Sequence, residues 1–315
     1  MDVVPETNSR MTVTDPDDSL VPAAEITELR RVAAQLARAA ADHVRTRRPE
    51  VFPAPGPGPA TSAAAPHGVV RSKSTATDPV TIVDTESEDL IRTLLSRSRP
   101  DDRVMGEEGG GSVDPDDDPA ATVWVVDPID GTVNFMYGIP AYAVSVAAMR
   151  GGRSLAGAVV DVVGEVTYSA GLGAGATATT AGATPVPLRC TEVRSLEMAL
   201  LATGFGYGAG RRATQGRLIA EVLPHVRDIR RIGSAALDLC MVAAGRVDAH
   251  YEHGLNTWDW AAGGLIAAEA GARLTLPPAG TLAGTGELVV AAAPGIADQL
   301  TALFDRCGAS APIPD

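Results

Sequence analysis

The sequence predicts a layered chain of mixed α and β structure, and three observations point there. Trp124-Val125-Val126 reads as a buried strand that runs straight into two acids, Asp127 and Asp130. Ala141–Met149, Ser154–Val163 and Glu165–Ala170 read as successive strands separated by glycine turns. From residue 199 onward, strand-like runs alternate with helical ones, the pattern of an α/β lobe. With 315 residues and 45% hydrophobic content, the chain can bury one large core or two fused lobes.

Each element has a local reason. Residues 1–20 are polar and acidic and are expected as a disordered tail. From Glu25, Ile26, Leu29, Val32, Ala33, Leu36 and Ala40 recur at helical spacing, and the helix should stop by Pro49. Residues 49–68 are rich in proline, alanine and glycine, which suits a linker or a flap better than a helix or sheet. Thr85-x-x-Glu88 forms a plausible capping box for a helix bearing Leu90, Ile91, Leu94 and Leu95. Val104-Met105 leads into Gly106-Glu107-Glu108 and a Gly- and Asp-rich loop over 109–120, whose acidic run is a solvated turn. In the second half, strands at 199–203, 229–232, 247–252 and 287–293 precede helices near 211–223, 234–245, 258–270 and 295–306. The division expected is an N-terminal α+β lobe over 21–190, an α/β lobe over 191–306, and a tail over 307–315.

Composition narrows the function. A net charge of −13 argues against a nucleic-acid partner, because phosphate backbones demand basic patches. If the substrate is anionic, bound cations must invert the local field. Three scattered cysteines outside any CxxC suit reduced thiols in the cytoplasm. The N-terminal residues lack the pattern of a signal peptide. Apolar runs stay well short of the ~20 residues of a membrane span.

The chemistry sits on carboxylates. Asp127 and Asp130 bracket Pro128 and Ile129, and Pro128 lacks a donor, which leaves the Ile129 carbonyl available as a ligand. Carboxylate, carbonyl and water form the oxygen set that suits Mg²⁺. Gly131 permits close backbone approach, and the amides of Gly131 and Thr132 would face an anion if a helix starts there. Asp259 follows Trp258 at a helix start, where a carboxylate is as readily a cap. Glu107 and Glu108 follow a strand, where surface turns are common. Lys73, Asp78 and Asp84 lie near another helix start. Taken singly, each has an ordinary structural reading.

Taken together, Gly106-Glu107-Glu108, Asp127-Pro-Ile-Asp130-Gly-Thr132 and Trp258-Asp259-x-Ala-Ala-Gly263 resemble the motifs of the inositol monophosphatase family, in the family's order. Thr77-Asp78-Pro-Val-Thr-Ile-Val-Asp84 is similar to its upstream motif, with Lys73 in place. The resemblance runs from about residue 25 to 305 and is nearest to the bacterial, especially actinobacterial, branch. It implies a metal-dependent sugar-phosphatase fold, an αβαβα sandwich, and Mg²⁺-dependent hydrolysis of myo-inositol monophosphate. By the same resemblance, Glu107, Asp127 and the Ile129 carbonyl would hold one ion. Asp127, Asp130 and Asp259 would hold a second, and Glu107 with waters a weaker third. Thr132, oriented by Asp84, would position the attacking water, and the Gly131 and Thr132 amides would bind the phosphate. Gly233, Ser234, Ala235 and Glu252 would line the polyol pocket, with Asp130 on a ring hydroxyl, and Lys73 and Asp78 would sit on a flap. A small phosphorylated polyol and a homodimer are the implied partners.

Alternatives remain at this point. Histidinol phosphate and fructose 1,6-bisphosphate are substrates within the same superfamily, and some bacterial relatives bind the transcription machinery. Glu252 favours a neutral polyol over a second phosphate. Gly171-Leu-Gly173-Ala-Gly175 has no helical pattern after it and reads as a loose turn or loop, not a dinucleotide loop. Gly204-Phe-Gly206-Tyr-Gly208 lacks a Walker lysine and reads as a mobile loop. His250-Tyr-Glu252-His253 does not have zinc spacing.

Overall fold

Helix α1 (Ala23–Val51) buries Leu29, Val32, Ala33, Leu36, Ala40 and Val44 along one face. It runs past Pro49, contrary to the expected stop. Pro49 sits in the last turn, and that turn is held by buried Val51 and Phe52 and by the Phe52 amide donating to the Arg48 carbonyl at 2.7 Å. The computed structural model describes residues 21–52, 70–72, 79–113 and 118–315. The expected N-terminal tail, most of the Pro-rich insert, Lys73, Asp78 and part of the acidic run at 114–118 therefore lie outside the described residues.

A short hairpin, β1 (Val70–Ser72) with β2 (Pro79–Thr81), leads into helix α2 (Ile82–Ser98). The helix starts one turn earlier than Thr85-x-x-Glu88 suggests. Thr81 is the cap: its hydroxyl accepts from the Val83 and Asp84 amides, and Asp84 accepts from the Thr81 amide at 2.9 Å. Thr81 keeps extended backbone, which a cap requires, whereas Thr85 is already inside the helix.

The larger sheet has seven strands in sequence order: β3 (Arg103–Gly106), β4 (Val123–Asp130), β5 (Ala143–Arg150), β6 (Arg153–Asp161), β7 (Val166–Gly171), β8 (Ala176–Thr180) and β9 (Val186–Pro187). Only β3 and β4 are parallel. Strand β8 was not anticipated. The Gly171–Gly175 stretch is the turn of a β7–β8 hairpin, and the Thr-rich run after it supplies the return strand. Strand β4 is buried throughout because both of its faces are covered. Trp124 and Val126 face a core shared with α1 and α2, and Val123 and Val125 face a second core on the opposite side.

That second, central core packs against helices α5 (Ala235–Ala243) and α6 (Thr257–Glu269), with Trp260 buried in it. Beyond them lies a five-stranded sheet ordered β11 (Asp228–Arg230), β10 (Leu200–Thr203), β12 (Ala249–His253), β14 (Leu288–Ala292), β13 (Arg273–Thr275). Strand β13 was also unanticipated, being three residues long. Helices α4 (Ala209–Val222) and α7 (Ala297–Cys307) cover its outer face through Leu218, Val222, Leu300 and Phe304. The layers thus run helix, sheet, helix, sheet, helix, as the resemblance implies. Residues expected as a tail lie against this lobe, with the Ile313 amide donating to the Gly286 carbonyl at 2.9 Å. Among the described residues, no helix is long and apolar enough to cross a membrane.

Sheet and helix meet most closely at Gly157 on β6. A Cβ there would stand 2.9 Å from the Ala262 Cα on α6. The Gly157→Val variant should therefore lose about 1–3 kcal/mol of stability through overpacking, measured by urea denaturation. A wild-type midpoint would show that this contact yields without cost.

Candidate metal centre

Two carboxylates three residues apart on a regular strand face opposite sides of a sheet. Strand β4 overcomes this with a bulge. Asp127 pairs with Ser145 and Asp130 with Ala143, so three steps on β4 match two on β5. Pro128 lies within the bulge, where its missing donor costs no ladder bond. The extra residue turns Asp130 to the same side as Asp127. The Ile129 amide donates to Asp127 Oδ1 at 3.0 Å and fixes that side chain.

Asp259 arrives from the N-terminal turn of α6, where its Oδ2 accepts from the Asn256 amide at 2.7 Å. Oxygens of Asp127, Asp130 and Asp259 all lie within 4.8 Å of one another. Glu107, at the end of β3, joins them through Asp127. Asp130 is held by the N-terminus of α5: its Oδ2 accepts from the Ser234 hydroxyl at 2.5 Å and the Ala236 amide at 2.7 Å. Gly131 adopts left-handed backbone, φ +96°, and starts the short helix α3 (Thr132–Tyr137).

The Thr132 hydroxyl lies 3.1 Å from Asp84 Oδ1 and 3.0 Å from the Ile129 carbonyl. Sequence reasoning treated that carbonyl as unengaged; it already faces the Thr132 hydroxyl and keeps a second lone pair. Asp84 is fully buried and is held on its other oxygen by Thr81. Gly233, Ser234, Ala235 and Glu252 border the same cleft, of roughly 960 Å³, as Glu107, Asp127, Asp130, Thr132 and Asp259. Val70 of β1 also borders it.

Burial dominates the electrostatics. It pushes Asp84 up to about 7, partly opposed by the Thr81 hydroxyl, with Glu107 adding to the rise. It pushes Asp130 up to about 6 against the opposing bonds from Ser234 and Ala236. Asp127 and Asp259 are raised first by burial and then by Glu107 and their neighbouring acids. An all-oxygen, buried cluster of acids that repel one another fits a hard divalent cation better than any other resident.

Several contributors escaped the sequence. Asn134 donates to the Ala141 carbonyl at 2.7 Å and the Ile232 carbonyl at 2.9 Å, tying the two sheets together across the cleft. Thr81-x-x-Asp84 was legible as a capping pattern one turn upstream of the one chosen. His250 is buried between Asp238, 3.4 Å away, and Glu252, 3.9 Å away.

Residues 25–309 match the Inositol monophosphatase family. The chain belongs to the inositol monophosphatase family. It is accordingly a phosphatase. Among its relatives is the inositol-1-monophosphatase SuhB of Mycobacterium tuberculosis, 57% identical over 294 residues, covering 92% of this chain and 98% of that protein. The Nus factor SuhB of Pasteurella multocida is 38% identical, covering 73% of this chain and 84% of its own length. The solved structure of Mycobacterium tuberculosis SuhB superposes with a TM-score of 0.74 at 51% identity, covering 90% of this chain and 98% of that one.

Raised carboxyl values mean that the folded protein binds protons that the unfolded chain has released. With Asp84 moving from 3.8 to about 7, stability of metal-free protein should fall as pH rises across that window. Asp127→Asn removes one buried charge. In chelator-treated protein at pH 8 it should raise the thermal midpoint by a few degrees and flatten the pH slope. A lowered midpoint would contradict this charge balance.

Proposed function

We propose that the chain hydrolyses myo-inositol monophosphate to inositol and phosphate with two or three Mg²⁺ ions. The convergence of Glu107, Asp127, Asp130 and Asp259 beside the Asp84–Thr132 pair carries this reading. Phosphate monoesters are among the slowest substrates in water, with enzymatic accelerations up to ~10²¹-fold. Side-chain acid–base catalysis supplies only about 10²–10⁴-fold. Bound ions would supply the rest by activating water and neutralising the leaving oxygen.

The chain's own residues orient and hold. Asp127 would be shared between ions, with Glu107 and the Ile129 carbonyl on one side and Asp130 and Asp259 on the other. Thr132, held by Asp84, would aim the attacking water. The Gly131 and Thr132 amides would receive the phosphate. Asp130, with Gly233, Ser234, Ala235 and Glu252, would contact the polyol. Burial raises Glu252 to about 7, where it can both donate to and accept from a hydroxyl.

Three arginines border the cleft. Arg211 donates to the Ile313 and Ala283 carbonyls at 2.7 and 2.8 Å and pairs with Asp315. Arg212 donates to the Tyr207 carbonyl at 3.0 Å, and Arg231 lies over the Phe205 ring. A cytoplasmic homodimer belongs to the same proposal and rests on family membership. The relatives named Nus factor raise a second reading, a partner-binding role in transcription that would not use the acid cluster.

A phosphate-release panel over inositol 1-phosphate, histidinol phosphate and fructose 1,6-bisphosphate tests the proposal. Inositol 1-phosphate should be preferred, chelation should abolish release, and Mg²⁺ should restore it. Thr132→Ala should lower kcat by roughly 10²-fold or more, and Asp127→Asn further. Preference for histidinol phosphate would sink the substrate assignment, and near-normal turnover by Asp127→Asn would sink the shared-ion role.

A further inference from the structure

Glu88 is a charged side chain only 2% exposed, on the face of α2 turned toward the loop that follows β3. Its Oε2 accepts from the Glu108 amide at 2.8 Å, and its Oε1 accepts from the Gly109 amide at 2.8 Å. Arg92, one turn along the same helix, donates to Glu88 Oε1 at 2.8 Å and to the Gly110 carbonyl at 2.8 Å. The loop closes on itself through the Gly106 amide and the Gly110 carbonyl at 3.0 Å. It is wrapped so tightly around the carboxylate that a Cβ at Gly106 would stand 2.2 Å from Glu88 Cδ. At Gly109 a Cβ would stand 2.6 Å from Glu88 Oε1.

The residue on which these contacts converge is Glu107. The amides bound by Glu88 are those of the next two residues, and the Glu107 amide itself donates to the Val126 carbonyl, adjacent to Asp127, at 3.2 Å. Glu107 reaches the cluster from a loop, directly after β3 ends. Asp127 and Asp130 are built into a central strand, and Asp259 is tied into a helix cap. The backbone that carries Glu107 is what the Glu88 contacts hold. A buried carboxylate accepting two successive amides fixes it with charge-assisted bonds, and Arg92 offsets the added charge.

We propose that Glu88, with Arg92 behind it, is a positioning residue that presets Glu107 for Mg²⁺. This rests on the reading of Glu107 as a ligand. Glu88 touches neither the cleft nor substrate, so its effect should appear in ion affinity and not in recognition of the polyol.

The test is calorimetric titration of the full chain with MgCl₂, without substrate, alongside phosphate release as a function of Mg²⁺. Glu88→Gln keeps the shape but offers an amide group toward one of the two loop amides. It should weaken Mg²⁺ binding about 10-fold or more, as loss of a partner behind a ligand typically does, and raise half-saturating Mg²⁺ equally. At saturating Mg²⁺, kcat and the KM for inositol 1-phosphate should stay within about twofold, because no ligand is lost. Arg92→Gln should weaken Mg²⁺ binding by a smaller factor, about threefold. Unchanged Mg²⁺ affinity in folded Glu88→Gln overturns the proposal, as does a fall in kcat at saturating Mg²⁺ without loss of affinity. If Glu88→Gln does not fold, Arg92→Gln decides, and unchanged affinity there overturns it. Glu107→Gln separates the two readings. If it leaves Mg²⁺ binding intact, the ligand assignment has failed; if it weakens binding while both clamp variants do not, only the clamp has failed.

Discussion

Four acids held close together, with Asp127 and Asp130 buried, are the constraint to which the surrounding structure answers. Burial raises Asp127, Asp130 and Asp259, and the charge of Glu107 adds to the rise. The fold counters this with geometry fixed in advance. A bulge aims Asp127 and Asp130 the same way, one helix N-terminus holds Asp130, and another builds Asp259 into its cap. The cost of gathering the charges falls on folding, so a cation finds the oxygens already assembled.

The scaffold behind these caps is correspondingly rigid. Strand β4 is covered on both faces, and α6 presses on β6 with backbone nearly touching backbone at Gly157. Asn134 bridges carbonyls from both halves of the cleft, so the two sheets cannot part without losing these half-buried hydrogen bonds. Stability and site geometry therefore depend on many of the same contacts.

Much of this was legible in the sequence because it is local. The acids, the buried strand and the strand–helix alternation are written in short stretches of residues. What was missed depends on distant partners or on competing local signals. Thr81 and Thr85 both head capping patterns, and only the burial of Asp84 against Thr132 selects the first. Glu88 looks like a capping residue in sequence, and its true partners lie some twenty residues downstream. Strands β8 and β13 are too short or too rich in small residues to announce themselves before a neighbouring strand pairs with them. The bulge cannot be inferred from Asp-x-x-Asp alone, since the same spacing on a regular strand would separate the two acids.

The cleft is assembled from two sources. The seven-stranded sheet supplies the β3 and β4 acids, whereas the Gly204–Gly208 loop, Gly233 and Glu252 come from the five-stranded lobe. This division makes the molecule modular in an evolutionary sense. Substitutions in the Gly204–Gly208 loop can reshape the cleft wall while the bulged strand, and the Ser234 and Ala236 contacts that hold Asp130, stay as they are. One hydrolytic engine can in this way be inherited intact by enzymes with different diets. That loop, which carries none of the four acids, offers a protein engineer a wall to redesign.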